Sequence, residues 1–142
     1  MSSQLSWHSE NQVVHLQLSG NVTSDILLKN SEFISGLLDE TRSDRLHVII
    51  DLLRASQLPK DTGSLRNVLA PMLSHQRMGW AAVVTGNLMI QSILNRTIHR
   101  LTENWGYVSS IREAADLLRR ADSRQMTIPF TEQKNAILYH IK

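Results

Sequence analysis

Two apolar runs constrain this chain more than any other feature. The first, Leu46-His47-Val48-Ile49-Ile50-Asp51, ends in an acid; the second, Trp80-Ala81-Ala82-Val83-Val84-Thr85-Gly86-Asn87, follows a polar loop and a helix-like segment. Unbroken apolar character is what a strand covered on both faces requires, and two such strands with a helix between them imply a parallel sheet. Helices then occupy both faces, so functional groups collect in the loops beyond the strand ends. The candidate partner- or ligand-binding residues are therefore Asp51, Arg54, Ser56 and Asp61 after the first run, and Thr85, Gly86 and Asn87 after the second.

The pattern elsewhere supplies the remaining elements of a mixed, mainly parallel sheet with an N-terminal hairpin and about four helices, an α/β single domain. Leu5 to Ser9 and Val13 to Leu18 read as two strands joined by Glu10-Asn11, with Val14, Leu16 and Leu18 alternating against His15 and Gln17. A helix capped by Thr23 or Ser24 carries Ile26, Leu27, Phe33, Ile34, Leu37 and Leu38 and ends near Glu40. The strand Leu46 to Leu53 gives way to a loop from Arg54 to Gly63, in which Asp61, Thr62 and Ser64 all qualify as helix caps. Pro71 falls inside the next apolar stripe, where the missing N–H should bend the helix or end it early.

A strand from Trp80 to Thr85 is expected next, then a helix from Leu88 to Glu103 with Ile90, Ile93, Leu94, Ile98 and Leu101 inward. Trp105-Gly106-Tyr107-Val108 is short enough to be a last strand. Ser110-Ile111-Arg112-Glu113 has capping-box spacing before a helix that closes the domain near Asp122. The domain thus spans 1–122. A C-terminal extension over 123–142 packs on its own domain or on a neighbouring subunit as a homodimer contact; Ile128-Pro129-Phe130 reads as extended and Thr131 to Ile141 as a short helix.

Composition removes several chemistries. There is no cysteine, so disulfides, thiolate nucleophiles and thiolate metal sites are out. With 42% hydrophobic and 20% charged residues, an ordered globular domain is expected rather than a disordered tract. No apolar run approaches the roughly 20 residues of a membrane span, and the N-terminus lacks a basic segment leading into an apolar one, so a cytoplasmic location is expected. Fifteen basic residues against thirteen acidic ones give a net charge of +2, too little for a strong long-range field. The richest basic area, Arg96, His99, Arg100, Arg119, Arg120 and Arg124, reads as a solvated helix face supported by Asp116, without the interleaved aromatics of a nucleic-acid binder.

An enzyme would need an acid, base or nucleophile in reach of each other. The six histidines include no pair at helical spacing, Asp51 with His75 is the least implausible couple, and Thr85-Gly86-Asn87 is no phosphate loop. The expectation is a non-catalytic protein without metal or cofactor. A binding protein for a small apolar or lipid-like ligand is the alternative, with a pocket between the second helix and the sheet where Pro71, Met72 and Met78 give some pliancy.

The segments Leu16-Gln17-Leu18-Ser19-Gly20-Asn21-Val22-Thr23, Val48-Ile49-Ile50-Asp51-Leu52, Ala82-Val83-Val84-Thr85-Gly86 and Ile111-Arg112-Glu113-Ala114-Ala115-Asp116-Leu117-Leu118, in this order, resemble STAS domains, the group that contains the SpoIIAA anti-sigma-factor antagonists. The resemblance runs from Leu5 to Asp122. It implies a regulatory protein-interaction module whose partner is a Ser/Thr kinase or a regulator, and phosphorylation of a hydroxyl at the helix start. The family segment reads Asp-Ser-Ser-Gly-Leu or close to it; here Asp61-Thr62-Gly63-Ser64-Leu65 stands in its place, making Thr62 and Ser64 the phosphorylation candidates.

Overall fold

The computed structural model describes residues 2–41, 45–122 and 137–141. Their elements run β1 (Ser2–Ser9), β2 (Val13–Asn21), α1 (Ser24–Glu40), β3 (Leu46–Gln57), α2 (Thr62–Leu73), β4 (Met78–Val84), α3 (Leu88–Asn95), β5 (Trp105–Val108), α4 (Ile111–Ala121) and β6 (Ile137–Ile141). The strands form one sheet in the order β5-β4-β3-β2-β1-β6. Neighbours from β2 to β5 are parallel, whereas β1 runs antiparallel to β2 and to β6. The hairpin turns at Asn11, whose φ of 58° is one that asparagine tolerates better than most residues.

Alternation along the strands divides the interior. Val14, Leu16 and Leu18 of β2, with Val48, Ile50 and Leu52 of β3 and Ala81 and Val83 of β4, face α1, α2 and α3 in the larger core. Val13, Ile49, Ala82 and Val84 point the other way and meet Ala114, Ala115 and Leu118 of α4. Each Val, Leu and Ile among them contributes about 1.5–3 kcal/mol on burial, so the two layers together hold the sheet from both sides. No helix of the described residues is long and apolar enough to cross a membrane.

Several boundaries differ from the sequence expectation. The third strand does not stop at Leu53: Arg54, Ala55 and Gln57 stay in register with Ser19, Gly20 and Asn21, and the Val22 N–H donates to the Gln57 carbonyl at 3.0 Å. Pairing with β2 sustains this polar stretch, which carries no apolar signal of its own. Gly20 takes a φ of 72° where the register shifts, a conformation glycine adopts without a Cβ penalty. The helix after β4 ends at Asn95 instead of Glu103 and is followed by a 3-10 turn over Ile98–Arg100, with the buried Thr97 hydroxyl donating to the Ile93 carbonyl at 3.0 Å.

Pro71 does not end the helix early: α2 runs through it to Leu73, the last residue of the expected apolar stripe. The next N–H, that of Met72, donates to the buried Ser31 hydroxyl of α1 at 3.0 Å, which ties the last turn of α2 to α1. At the C-terminal end, Ile137–Ile141 is a strand where a helix was expected. Apolar and aromatic side chains there suit a strand, and β1 offers its open edge. Tyr139 stacks on Phe33 of α1 with ring centroids 4.9 Å apart. The expectations for Ile128-Pro129-Phe130, Thr131 to Ala136 and Arg124 lie outside the described residues.

Candidate functional site

Because β2, β3, β4 and β5 are parallel, their C-terminal ends share one rim of the sheet, and α1, α2, α3 and α4 each begin there. Every helix start is closed by a side chain. Thr23 Oγ1 accepts from the Ile26 N–H, Asp61 Oδ1 from Gly63 and Ser64, Asn87 Oδ1 from Met89 and Ile90, and Ser110 Oγ from Glu113. The amide ends of the helix dipoles therefore converge at this rim. Ser64 Oγ lies 3.4 Å from Ser24 Oγ, which brings the starts of α1 and α2 side by side.

Of the three candidate caps for α2, Asp61 takes the role, so Thr62 and Ser64 are first-turn residues instead of caps. Its carboxylate accepts from two first-turn amides and sets negative charge at the positive end of the helix. Thr62 is half-buried, and its hydroxyl makes no hydrogen bond with a described residue; Ser64 is half-buried against α1. Arg54 and Ser56 are exposed at the end of β3, on an extended strand where a loop was expected. Thr85 is buried and its Oγ1 accepts from the Asn87 N–H at 3.1 Å, while Gly86 and Asn87 are exposed.

Asp51 departs most from a surface role. It is buried, its Oδ2 lies 2.9 Å from His15 Nε2, and its Oδ1 accepts from the Leu53 N–H at 3.1 Å. The Asp51–His75 couple does not form. His75 pairs instead with Asp39 at 2.7 Å, and its Nδ1 accepts from the Arg77 N–H. A further buried pair joins His47 to Asp122. No group of three His, Asp or Glu residues that could hold a metal occurs among the described residues. Of the basic area, Arg120 is exposed and ion-paired with Asp116 at 2.8 Å.

Leu53, Leu88 and Met89 are 52%, 78% and 70% exposed at the rim; Leu88 closes the loop from Thr85 that the sequence marked, while Leu53 and Met89 escaped that reading. A signal existed for two of them, since Leu88 and Met89 fall off the inward stripe set by Ile90, Leu94 and Ile98. The space between α2, α3 and the sheet is an apolar void of about 10 Å3, lined by Leu18, Leu52, Leu65 and Leu94 among others. That is room for about one water, against the roughly 300 Å3 at which ligand pockets begin. A lipid-like ligand would have to lift α2 from the sheet.

At the last helix start, the Glu113 carboxylate accepts from the Ser109 N–H and hydroxyl, both at 2.8 Å, and these bonds hold its pKa below the ordinary value. Glu113 therefore reaches one residue further back than in a capping box, where it would meet the cap's own N–H.

No family model matches the sequence, and no curated protein matches it. Among solved structures, the fold is similar to that of the anti-sigma factor antagonist SpoIIAA in its unphosphorylated form, with a TM-score of 0.57 and 14% identity over 82% of this chain and 97% of that one. The chain thus has a SpoIIAA-like, STAS-type α/β fold.

Proposed function

We propose that this chain is a non-catalytic regulatory module that docks a protein partner on the rim where the helices begin, and that phosphorylation of Thr62 or Ser64 switches the docking. The observation that carries the reading is the exposure of Leu88 and Met89 beside these helix starts. Large apolar side chains left in water at a rim of polar caps mark an interaction surface more readily than a substrate site. The fold shared with an anti-sigma factor antagonist supports a non-catalytic regulatory role. A phosphate on the first turn of α2 would meet amide dipoles and add nearly two negative charges to the docking surface. The partner on this reading is a Ser/Thr kinase or a regulator that a kinase controls.

The test is a pull-down from native lysate with phosphosite mapping by mass spectrometry, followed by affinity measurements on Thr62→Glu and Ser64→Glu. The expected result is a recovered partner, phosphate on one of the two hydroxyls, and a change of about tenfold or more in affinity with the fold intact by circular dichroism. Unchanged affinity in both variants sinks the switch.

A further inference from the structure

Nothing within its own chain requires Gly36 to be glycine. It lies inside α1 without the positive φ that would call for glycine, and a Cβ there would meet no atom within 4 Å. Alanine would strengthen the helix at this position. A helix surface bared to its backbone serves the close approach of a second element.

Helical spacing sets Lys29, Phe33, Gly36 and Glu40 on one stripe of α1, the first and last exposed and the middle two half-buried. The opposite side of the helix faces α2, through Ser24 beside Ser64 and Ser31 beneath the Met72 N–H. The stripe therefore looks toward the β6 edge of the sheet. Asn30 Nδ2 donates to Ser3 Oγ at 3.0 Å, which seats α1 over β1, and Phe33 stacks on Tyr139 of β6. Among the described residues no strand lies beyond β6. Ile137–Ile141 contains no Pro, Lys, Arg, Asp or Glu to discourage further pairing, and Ile137 is 60% exposed.

We infer that this edge takes a second copy of the chain, with β6 of each pairing antiparallel near Tyr139 about a two-fold axis normal to the sheet. That operation keeps both α1 helices on the same face and sets them antiparallel. Strands spaced about 4.8 Å apart then put the two helix axes about 10–14 Å from each other, within reach of side-chain packing. The stripe is self-complementary in that orientation. Lys29 meets the partner subunit's Glu40 and Phe33 meets the partner subunit's Gly36, each contact occurring twice. Glu40 forms no ion pair with a described residue, and the pair of Lys29 with Asp25 is exposed and exchanges at little cost. The charges thus choose a second copy over an unrelated strand.

Sedimentation velocity of the full chain over about 1–200 µM is expected to show a monomer passing into a dimer. Gly36→Gln should weaken the dimer by about tenfold or more while circular dichroism and thermal melting show the fold intact, since the new side chain meets nothing in its own chain. Lys29→Glu and Glu40→Lys should each weaken it by about tenfold, because like charges then face each other at both contacts. Mixing these two variants should restore the dimer, as opposite charges then meet at both contacts. Ile137→Lys should weaken it as well, by charging the edge strand.

A chain that stays monomeric at about 200 µM overturns the second copy as the occupant of this edge. A dimer that Gly36→Gln, Lys29→Glu and Glu40→Lys leave unchanged overturns the interface, and so does a mixture of the two charge variants no tighter than either alone. The docking reading is judged separately, on the native partner and the Thr62 and Ser64 variants.

Discussion

The Nε2 atom of His47 lies 2.6 Å from Asp122 Oδ2, and the Trp80 N–H donates to Nδ1 of the same ring at 2.8 Å. An N–H can only donate, so Nδ1 is the unprotonated nitrogen and Nε2 carries the proton toward the carboxylate. The ring is a neutral bridge that ties the end of α4 to β3 and β4. Asp122→Ala removes the acceptor and leaves a buried N–H behind, and should destabilise the domain by about 1–3 kcal/mol in urea unfolding. A loss below about 0.5 kcal/mol would show that the bridge holds little.

Gly79 makes that bridge possible. A Cβ at this position would stand 2.3 Å from His47 Nδ1 and 3.1 Å from the Leu46 carbonyl, one a ring fixed by two hydrogen bonds and the other backbone. Gly79→Ala should therefore displace His47, cost about 1–3 kcal/mol, and leave partner binding at the distant rim unchanged. Thermal denaturation checks the first part, and unchanged melting would show that the ring has somewhere to go.

The cap assignment separates three neighbouring residues. Asp61→Ala should destabilise by about 1 kcal/mol, because two first-turn amides lose their acceptor, whereas Thr62→Ala should change stability by less than about 0.5 kcal/mol. Paired urea titrations decide it; equal losses would mean that Thr62 shares the capping.

Tyr107 should ionise late. Burial pushes its pKa up to about 12, and its hydroxyl donates to the Gln91 carbonyl at 2.7 Å, a bond the phenolate could not make. With the folded value above the unfolded one, its stabilising contribution is complete below the unfolded pKa and disappears as pH rises through about 12. Ultraviolet titration of wild type against Tyr107→Phe should place the difference step there; a step at the ordinary tyrosine value would show the ring to be solvated. The Phe variant should lose about 1 kcal/mol at neutral pH.

The sequence by itself determined the parts whose cause is local. Continuous apolar runs marked β3 and β4 as doubly covered, cap chemistry narrowed the start of α1 to Thr23 or Ser24 and placed that of α4 at Ser110, and β5 took its full Trp105–Val108 extent from a short isolated segment. Parallel order then set the rim, and with it the neighbourhood of Thr62, Ser64 and Asn87.

What only the tertiary structure decided was partnership across the chain. Asp51 met His15 and not His75, because β2 and β3 are adjacent and their side chains at these positions share a face. The polar residues Arg54 to Gln57 became strand because β2 lay alongside, and Ile137–Ile141 became strand because β1 had an open edge. The exposure of Leu53, Leu88 and Met89 likewise depended on what no other element covered. Periodicity records which face of its own helix or strand a residue occupies; which distant backbone or side chain arrives at that face is fixed only when the sheet assembles.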